Sequence, residues 1–280
     1  MNKPTVVSNL NHKGGVLKTT ITVNLGAALA KAGNRVLVID ADLQQNLTSW
    51  LIGPIQYHDG MHTLYEAMMA ETGLQELIRK TPTPGLDVVP VCEDFLDIDI
   101  NLVSKLGREA ILKECIENTE GIENYDLILI DNPPSVSLTV MNSLVASDYY
   151  MVPCTAEYLS MQGLSLLGRS IEQITKINHD LMFLGVVVTK YHPKEKICNQ
   201  VVASLRERLG DYVFETMIRV NTKAKAAPSK QQTMFEFEDS SSGRSTEDFS
   251  SLAIEFIEKL VAMEKVREGN NQPQLQTADG

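Results

Sequence analysis

The sequence has few cysteines and no long apolar run, and both absences narrow the range of possible proteins. Its four cysteines, Cys92, Cys115, Cys154 and Cys198, stand far apart, whereas zinc and iron–sulfur sites use closely spaced pairs. We therefore expect buried, reduced thiols. No run of about 18 apolar residues is present, so no membrane-spanning helix is predicted. Residues 1–10 also lack the apolar core of a signal peptide, which favours a cytoplasmic protein.

Positive charge is also scarce overall. The chain of 280 residues carries 25 Lys and Arg against 36 Asp and Glu, a net charge of −11. Taken alone, that balance argues against a nucleic-acid partner. The charge is unevenly spread, however, because nine Lys and Arg stand against four Asp and Glu between Thr189 and Phe235. This basic region lies within an otherwise strongly acidic chain.

What the chain does have is a series of short apolar runs rich in β-branched residues, separated by segments with helical periodicity. The runs occupy residues 5–10, 35–40, 86–91, 126–131, 148–153 and 181–189. They are nearly continuous rather than alternating, as is typical of strands buried on both faces. Strands that alternate with helices at this spacing predict an α/β, doubly wound, mostly parallel sheet flanked by helices.

No internal repeat or interdomain linker interrupts this pattern, so we expect one domain over residues 1–268. Polar residues at 238–248 predict a loop before the last helix. That helix carries an apolar stripe that is expected to be buried against the sheet. The stripe comprises Phe249, Leu252, Ala253, Phe256, Ile257, Leu260 and Val261. The polar stretch 269–280 is expected to be a disordered tail. It lacks the basic amphipathic character of a membrane-surface helix, so no membrane partner is expected.

Residues 11–20, NHKGGVLKTT, predict a phosphate-binding loop. A strand, a glycine-containing turn and a helix that opens with Lys-Thr direct backbone N–H groups and the helix N-terminus at anionic oxygens. Lys18 would contact the outer phosphates, and the Thr19 hydroxyl would bind Mg²⁺. The run DLILID ends in Asp131 at the carboxyl end of a buried strand, where ligands bind in such sheets. Asp131 is therefore predicted to hold Mg²⁺ through water, and the alternative is a cap for the following segment.

Four segments in order extend this loop into a family resemblance: NHKGGVLKTT, VLVIDADLQQNLT, YDLILIDNPPSVSLTVMNSLVASDYYMVPCTAEYLSMQGL and NTKAKAAPSKQ. Together they resemble the ParA family of partition ATPases, the deviant-Walker-A group that also contains MinD. The resemblance extends over about residues 4–262. It implies a P-loop NTPase fold, use of ATP and Mg²⁺, ATP hydrolysis and an ATP-dependent homodimer that segregates or positions a plasmid, chromosome region or protein cargo.

The resemblance also implies roles for individual residues. Lys13 is similar to the signature lysine that reaches the partner's nucleotide across the dimer, and Asp42 to the acid that positions the attacking water. The implied metal-site residues are Thr19, Asp40 and Asp131. The implied nucleotide-binding residues are Gly14, Gly15, Val16, Leu17, Lys18, Thr19 and Thr20 in the loop, with Thr189, Lys190 and Asn221 near the adenine.

The chain departs from the family pattern near the nucleotide, most seriously at Leu17, where a glycine is usual. Leucine keeps the backbone N–H donor. It would cost roughly 1–3 kcal/mol if the native φ is positive, and it would crowd the β-phosphate. Leu43 and Arg219 stand where proline is usual in the family, and Ala226 stands where glutamate is frequent. We expect a working ATPase with weakened ATP binding that Leu17→Gly would tighten; the alternative is a scaffold that no longer responds to nucleotide.

The resemblance implies a function for the basic region between Thr189 and Phe235. Lys194 and Lys223 match basic residues with which the family binds DNA irrespective of sequence. Further basic residues that would extend the patch are Lys196, Arg206, Arg208, Lys225 and Lys230. Such contacts to phosphates are salt-sensitive. The alternative is a merely solvated basic face.

Partners and competing functions follow from the same resemblance. It implies a ParB-like or adaptor protein that stimulates the ATPase, and a nucleoid-associated location in the cytoplasm. A MinD-like regulator of division is disfavoured by the polar, acidic tail. An iron–sulfur reductase of similar fold is disfavoured because no cysteine closely follows Asp131.

Overall fold

The computed structural model describes residues 3–58, 62–135, 137–157, 171–238 and 243–271. They form an eight-stranded sheet in the order β3-β4-β2-β5-β1-β6-β7-β8. The strands are β1 Thr5–Asn9, β2 Val36–Asp40, β3 Arg79–Lys80, β4 Leu86–Val89, β5 Leu127–Asp131, β6 Tyr149–Thr155, β7 Met182–Tyr191 and β8 Ile218–Arg219. Neighbouring strands are parallel, except that β3 pairs antiparallel with β4. The predicted α/β class is confirmed.

Helices cover both faces of the sheet. They are α1 Lys18–Lys31, α2 Asn46–Ile52, α3 Leu64–Ala70, α4 Ile98–Leu102, α5 Ile111–Glu117, α6 Leu138–Val145, α7 Lys196–Leu209, α8 Met234–Phe237 and α9 Arg244–Asn271. One apolar core joins α1 and α9 to the sheet, and another joins α3, α4 and α5 to its opposite face. Because the strands are buried on both faces, they appear in the sequence as continuous apolar runs.

Helix α1 lies very close to the sheet at Gly26. A Cβ atom at this position would stand 3.0 Å from Leu86 Cδ1 and 3.3 Å from Val38 Cγ1. The missing side chain therefore lets the helix approach the strands directly. This close packing fixes the helix whose N-terminus follows the phosphate-binding loop.

The last helix begins earlier than the sequence predicts. Residues 244–248 were expected to belong to a polar loop, but α9 begins at Arg244. The Glu238 carboxylate accepts a hydrogen bond from Thr246 N at 2.9 Å, which satisfies a free N–H in the first turn. The prediction that Val261 belongs to the buried stripe was wrong, since it is 50% exposed.

The extent of the domain stays a prediction. Helix α9 continues to Asn271, and residues 272–280 of the expected tail lie outside the described residues. Among the helices that the structure describes, none is long and apolar enough to cross a membrane.

Candidate nucleotide-binding site

The loop between β1 and α1 is held in place by side chains on both of its sides. Asn11 Nδ2 donates to Pro153 O at 2.6 Å, and Asn11 Oδ1 accepts from Lys13 N at 2.9 Å. Thr189 Oγ1 donates to Val16 O at 3.1 Å. Thr189 therefore supports the loop from behind, while Lys190, the next residue, lines the cavity beside it.

Lys18 begins α1 and is the buried cation of the site. It is 7% exposed, and its Nζ donates to Asn11 O at 3.2 Å. Burial lowers the pKa of Lys18, while the nearby Asp131 and Asp42 carboxylates oppose that shift. The first turn of α1 contains no acidic residue, so its free N–H groups and positive end remain available for an anion.

Two buried carboxylates lie side by side at the carboxyl ends of β2 and β5. Asp40 and Asp131 are register partners, and both are fully buried. Asp131 accepts from Thr19 Oγ1 at 2.6 Å and from Thr22 Oγ1 at 3.1 Å. Burial, with a contribution from Asp40, raises the pKa of Asp131 to about 8. Two carboxyl groups buried side by side therefore disfavour each other's ionised form.

The residues present fit a magnesium ion. The Thr19 hydroxyl and the Asp131 carboxylate supply the oxygen donors that a hard cation prefers. No group of three His, Cys, Asp or Glu side chains with metal-binding geometry occurs among the described residues. Mg²⁺ would be held by Thr19, by Asp131 through water and by phosphate oxygens, which is the usual arrangement for this ion with nucleotides.

Asp40, which is predicted to belong to the metal site, also supports the backbone around it. Its carboxylate accepts from Thr48 N at 2.9 Å, from Thr48 Oγ1 at 2.7 Å and from Asp42 N at 3.1 Å. Burial raises the pKa of Asp40 to about 6. These bonds fix the backbone at Asp42, which lies just beyond the end of β2 and is 6% exposed. Asp40 thus orients the chain at Asp42.

Asp131→Asn should make the nucleotide-free protein more stable at neutral and alkaline pH. The unfolded chain loses the Asp131 proton near pH 4, whereas the folded state keeps it to about pH 8. The folded state thus binds the extra proton in this window, and its stability falls as the pH rises. The variant should lack this fall, and the difference should reach a few kcal/mol at about pH 8, because one pKa unit corresponds to about 1.4 kcal/mol.

Urea titrations between about pH 5 and pH 8 measure this difference. Asp180→Asn, which removes an exposed carboxylate, is the control and should follow the unmodified protein. Parallel stability curves for the unmodified protein and Asp131→Asn would contradict the assignment of a raised pKa to Asp131.

Lys13 lies at the rim of the loop and is held by a residue that sequence reasoning did not identify. Its Nζ is 2.7 Å from Glu157 Oε2, and both side chains are about half exposed. The hydrogen bond from Lys13 lowers the pKa of Glu157. No sequence signal marked Glu157, because it is 144 residues away along the chain. Lys13 is thus available at the surface rather than buried with Lys18.

A cavity of about 290 Å³ opens beside the loop and is large enough for part of a nucleotide. Its lining residues are Leu17, Thr20, Trp50, Lys190, Ile218, Arg219, Val220, Asn221, Lys225, Pro228, Met234, Ser245 and Phe249. Asn221 Nδ2 donates to Glu238 at 2.9 Å and to Ser245 at 2.8 Å, which fixes the polar end of the cavity. Trp50 also lines the cavity, a position that was not predicted from the sequence. Its Nε1 donates to Gln232 O at 2.8 Å.

Leu17 has the strained backbone that its sequence position suggested. It is the N-cap of α1 with φ 69° and ψ 30°, a left-handed conformation in which a Cβ atom costs free energy. Its side chain packs partly against the core and lines the cavity. A positive φ at a non-glycine residue costs roughly 1–3 kcal/mol, which lowers the stability of the folded chain.

The other departures differ in how well the structure explains them. Arg219 donates from its backbone N to Asp248 Oδ2 at 2.8 Å and from Nε to Asp248 Oδ1 at 2.7 Å. It thereby ties β8 to α9 through a backbone donor that proline lacks. Leu43 is 41% exposed. Nothing in the structure explains Ala226.

Comparisons with known proteins agree with this geometry. A family model described as an AAA domain matches residues 4–183. The chromosome partitioning protein ParA of Caulobacter vibrioides is 38% identical over 226 residues, which cover 80% of this chain and 84% of that protein. The chain belongs to the ParA family. The sporulation initiation inhibitor protein Soj of Bacillus subtilis is 36% identical over 239 residues, covering 85% of this chain and 93% of that protein.

The fold of this chain is also similar to that of a solved structure with a bound nucleotide. Cobyrinic acid a,c-diamide synthase from Mycobacterium smegmatis with bound ADP and magnesium matches with a TM-score of 0.73 and 25% identity. The match covers 95% of this chain and 96% of that protein. The ParA-family fold predicted from the sequence is therefore confirmed.

The structure brings some of the predicted residues together and separates others. The phosphate-loop residues, Asp40, Asp42 and Asp131 meet at one edge of the sheet, and Lys190 and Asn221 line the adjoining cavity. Lys194 is exposed between β7 and α7. Lys223 begins a short 3₁₀ helix, Lys223–Ala226, and its side chain lies outside the described residues.

Proposed function

We propose that this ParA-family chain is an ATPase that dimerises with ATP, binds DNA without sequence preference and segregates or positions a cargo. The convergence of Lys18, Thr19 and Asp131 at one edge of the sheet supports the nucleotide function most directly. The names of the relatives support the positioning role, since one is a chromosome partitioning protein. A ParB-like or adaptor protein would stimulate hydrolysis.

The residues of the site match the needs of phosphoryl transfer, which depends on alignment and charge neutralisation. The loop N–H groups and Lys18 would bind the phosphates. Thr19, with Asp131 through water, would hold Mg²⁺, which neutralises charge on the phosphate oxygens when bound. Asp42, held in place through its backbone bond to Asp40, would orient the attacking water.

Lys13 would complete the site in a dimer. It stands at the surface of the loop, where a second copy can approach, and its charge is paired with Glu157 in the isolated chain. An exposed ion pair of this kind is weak, about 0–1 kcal/mol. The phosphates of a partner's nucleotide would therefore compete readily for Lys13, which couples dimer formation to ATP.

The decisive test of nucleotide binding is calorimetry with ATP and Mg²⁺. We expect weak Mg²⁺-dependent binding, which Leu17→Gly tightens by about tenfold or less, equivalent to about 1.4 kcal/mol. Leu17→Ala is the matched variant, because it removes the side chain from the cavity but keeps the strained Cβ atom. Because both variants remove the side chain that lines the cavity, both should tighten binding, and Leu17→Gly alone should also relieve the strain at φ 69°.

Two outcomes would overturn parts of this proposal. No ATP binding up to millimolar concentrations, in any of the three proteins, would favour a scaffold that does not respond to nucleotide. Equal affinity of all three would contradict the view that the Leu17 side chain crowds the ligand.

A further inference from the structure

Strand β7 is irregular at Lys190, directly beside the phosphate-binding loop. Thr189 pairs with Ile218 and Tyr191 with Arg219, so Lys190 is an extra residue on β7 without a partner on β8. Its φ of 50° is left-handed, a conformation that costs a non-glycine residue free energy. Such β-bulges are frequent beside functional sites, where they change the direction of a side chain.

The bulge brings two consecutive side chains to the same loop. In a regular strand, successive side chains point to opposite faces. Here Thr189 Oγ1 donates to Val16 O, and the next side chain, Lys190, also reaches the loop. The Lys190 Nζ lies 4.0 Å from the point that a Cβ atom would occupy on Gly15, which has φ 73°. The bulge therefore places the Lys190 ammonium group at the glycine turn of the phosphate-binding loop.

The Lys190 ammonium group has no carboxylate of its own at this position. None of the ion pairs among the described residues involves Lys190. The hydrogen bond from Lys13 and, to a smaller extent, the charge of Lys190 lower the pKa of Glu157. The Glu157 carboxylate, however, is bonded to Lys13 at 2.7 Å. Because Lys190 also lines the cavity beside the loop, an anion bound there would meet a cation that is not already paired.

We propose that Lys190 binds the phosphate chain of the nucleotide as a second cation from the same chain, in addition to Lys18. The family resemblance places this residue near the adenine, whereas the bulge directs its ammonium group to the loop that would hold the phosphates. A hydrogen bond between charged groups is roughly twice as strong as one between neutral groups, so an ammonium group favours phosphate oxygens over a neutral base. This role rests on the proposed ATPase function and adds to it a determinant of affinity for the phosphates.

The role of Lys190 is tested by competition against a fluorescent ATP analogue bound to the full chain in Mg²⁺. Lys190→Met keeps an unbranched side chain and its Cβ atom but removes the charge. The inhibition constant of pyrophosphate should therefore rise by about tenfold or more, because a hydrogen bond to a charged group is lost. The inhibition constant of adenosine, which has no phosphate, should stay the same.

Two further variants separate the charge of Lys190 from the shape of the bulge. Lys190→Arg keeps a positive charge and should retain most of the affinity for pyrophosphate. Lys265→Met is the matched control, because it removes an exposed lysine on α9 and should leave the inhibition constants of both competitors unchanged.

Three results would overturn the proposal. The first is the same inhibition constant for pyrophosphate in the unmodified protein and Lys190→Met. The second is a loss in Lys190→Arg as large as in Lys190→Met, since the conformation rather than the charge would then matter. The third is an equal loss for adenosine and pyrophosphate, since the effect would then not be specific to the phosphates.

The same experiment distinguishes this proposal from the ATPase function on which it rests. If the unmodified protein failed to bind the ATP analogue, both would fail together. If it bound the analogue and Lys190→Met changed nothing, the ATPase function would stand and only the phosphate contact of Lys190 would be wrong.

Discussion

Lys13→Ala should leave the protein monomeric in ATP and Mg²⁺, whereas Asp42→Ala should hold it as a dimer. Lys13 lies at the surface of the loop and is 41% exposed, so it can reach the phosphates of a second copy. Asp42 would orient the attacking water, and its loss should slow hydrolysis and let the ATP-bound dimer accumulate. Light scattering with and without ATP measures the mass of each variant.

Glu157→Gln provides the matched control for this experiment. It removes the ion-pair partner of Lys13 but keeps the lysine, so it should still dimerise with ATP. If loss of the Lys13–Glu157 pair itself prevented dimerisation, Glu157→Gln would fail like Lys13→Ala. The same mass with and without ATP, in both the unmodified protein and Asp42→Ala, would count against an ATP-dependent dimer.

Lys194→Glu/Lys223→Glu should abolish binding to DNA while leaving ATP binding unchanged. Neither lysine belongs to the phosphate-binding loop, and Lys194 is exposed at the start of the basic region. Binding by the unmodified protein should ignore sequence and fall steeply with salt, because each neutralised phosphate releases a counterion. It should be stronger with ATP, since a dimer presents two basic regions. Interferometry at low and high salt measures both effects.

Lys176→Glu/Lys265→Glu makes the same change in net charge elsewhere on the chain and should bind DNA nearly as well as the unmodified protein. Arg206 is a poorer candidate for a DNA contact, because Glu215 lies 2.5 Å from its guanidinium. If Lys194→Glu/Lys223→Glu bound DNA normally, the basic region would be only a solvated face. If no form bound DNA at low salt with ATP, positioning would require another surface.

Local patterns in the sequence are sufficient to predict the phosphate-binding half of the site. The loop, Lys18 and Thr19 are contiguous, and Asp131 ends a strand whose apolar run is plain. Parallel strands place their carboxyl ends at one edge, so these residues had to meet once the strands were identified. Leu17 was likewise recognisable as strained, because a glycine is usual in that turn.

The boundaries of helices and the residues that support them were harder to predict from the sequence. The start of α9 was misplaced because Glu238, before the helix, satisfies N–H groups of its first turn through a contact that no periodicity reveals. Val261 was assigned to the buried stripe because helical spacing shows which residues share a face but not how far the neighbouring sheet extends beneath it.

The sequence by itself determined the doubly wound class, the position of the phosphate-binding loop and the acid at the end of β5, because these depend on local periodicity and strand direction. Asp40 and Asp42 were implied only by the family resemblance. Only the tertiary structure decided that Trp50 lines the nucleotide cavity, that Thr189 supports the loop from behind and that Glu157 pairs with Lys13. Those contacts join residues far apart along the chain. They depend on the order β5-β1-β6-β7 in which the strands assemble, and strand order is fixed by the packing of the whole sheet rather than by any segment of it.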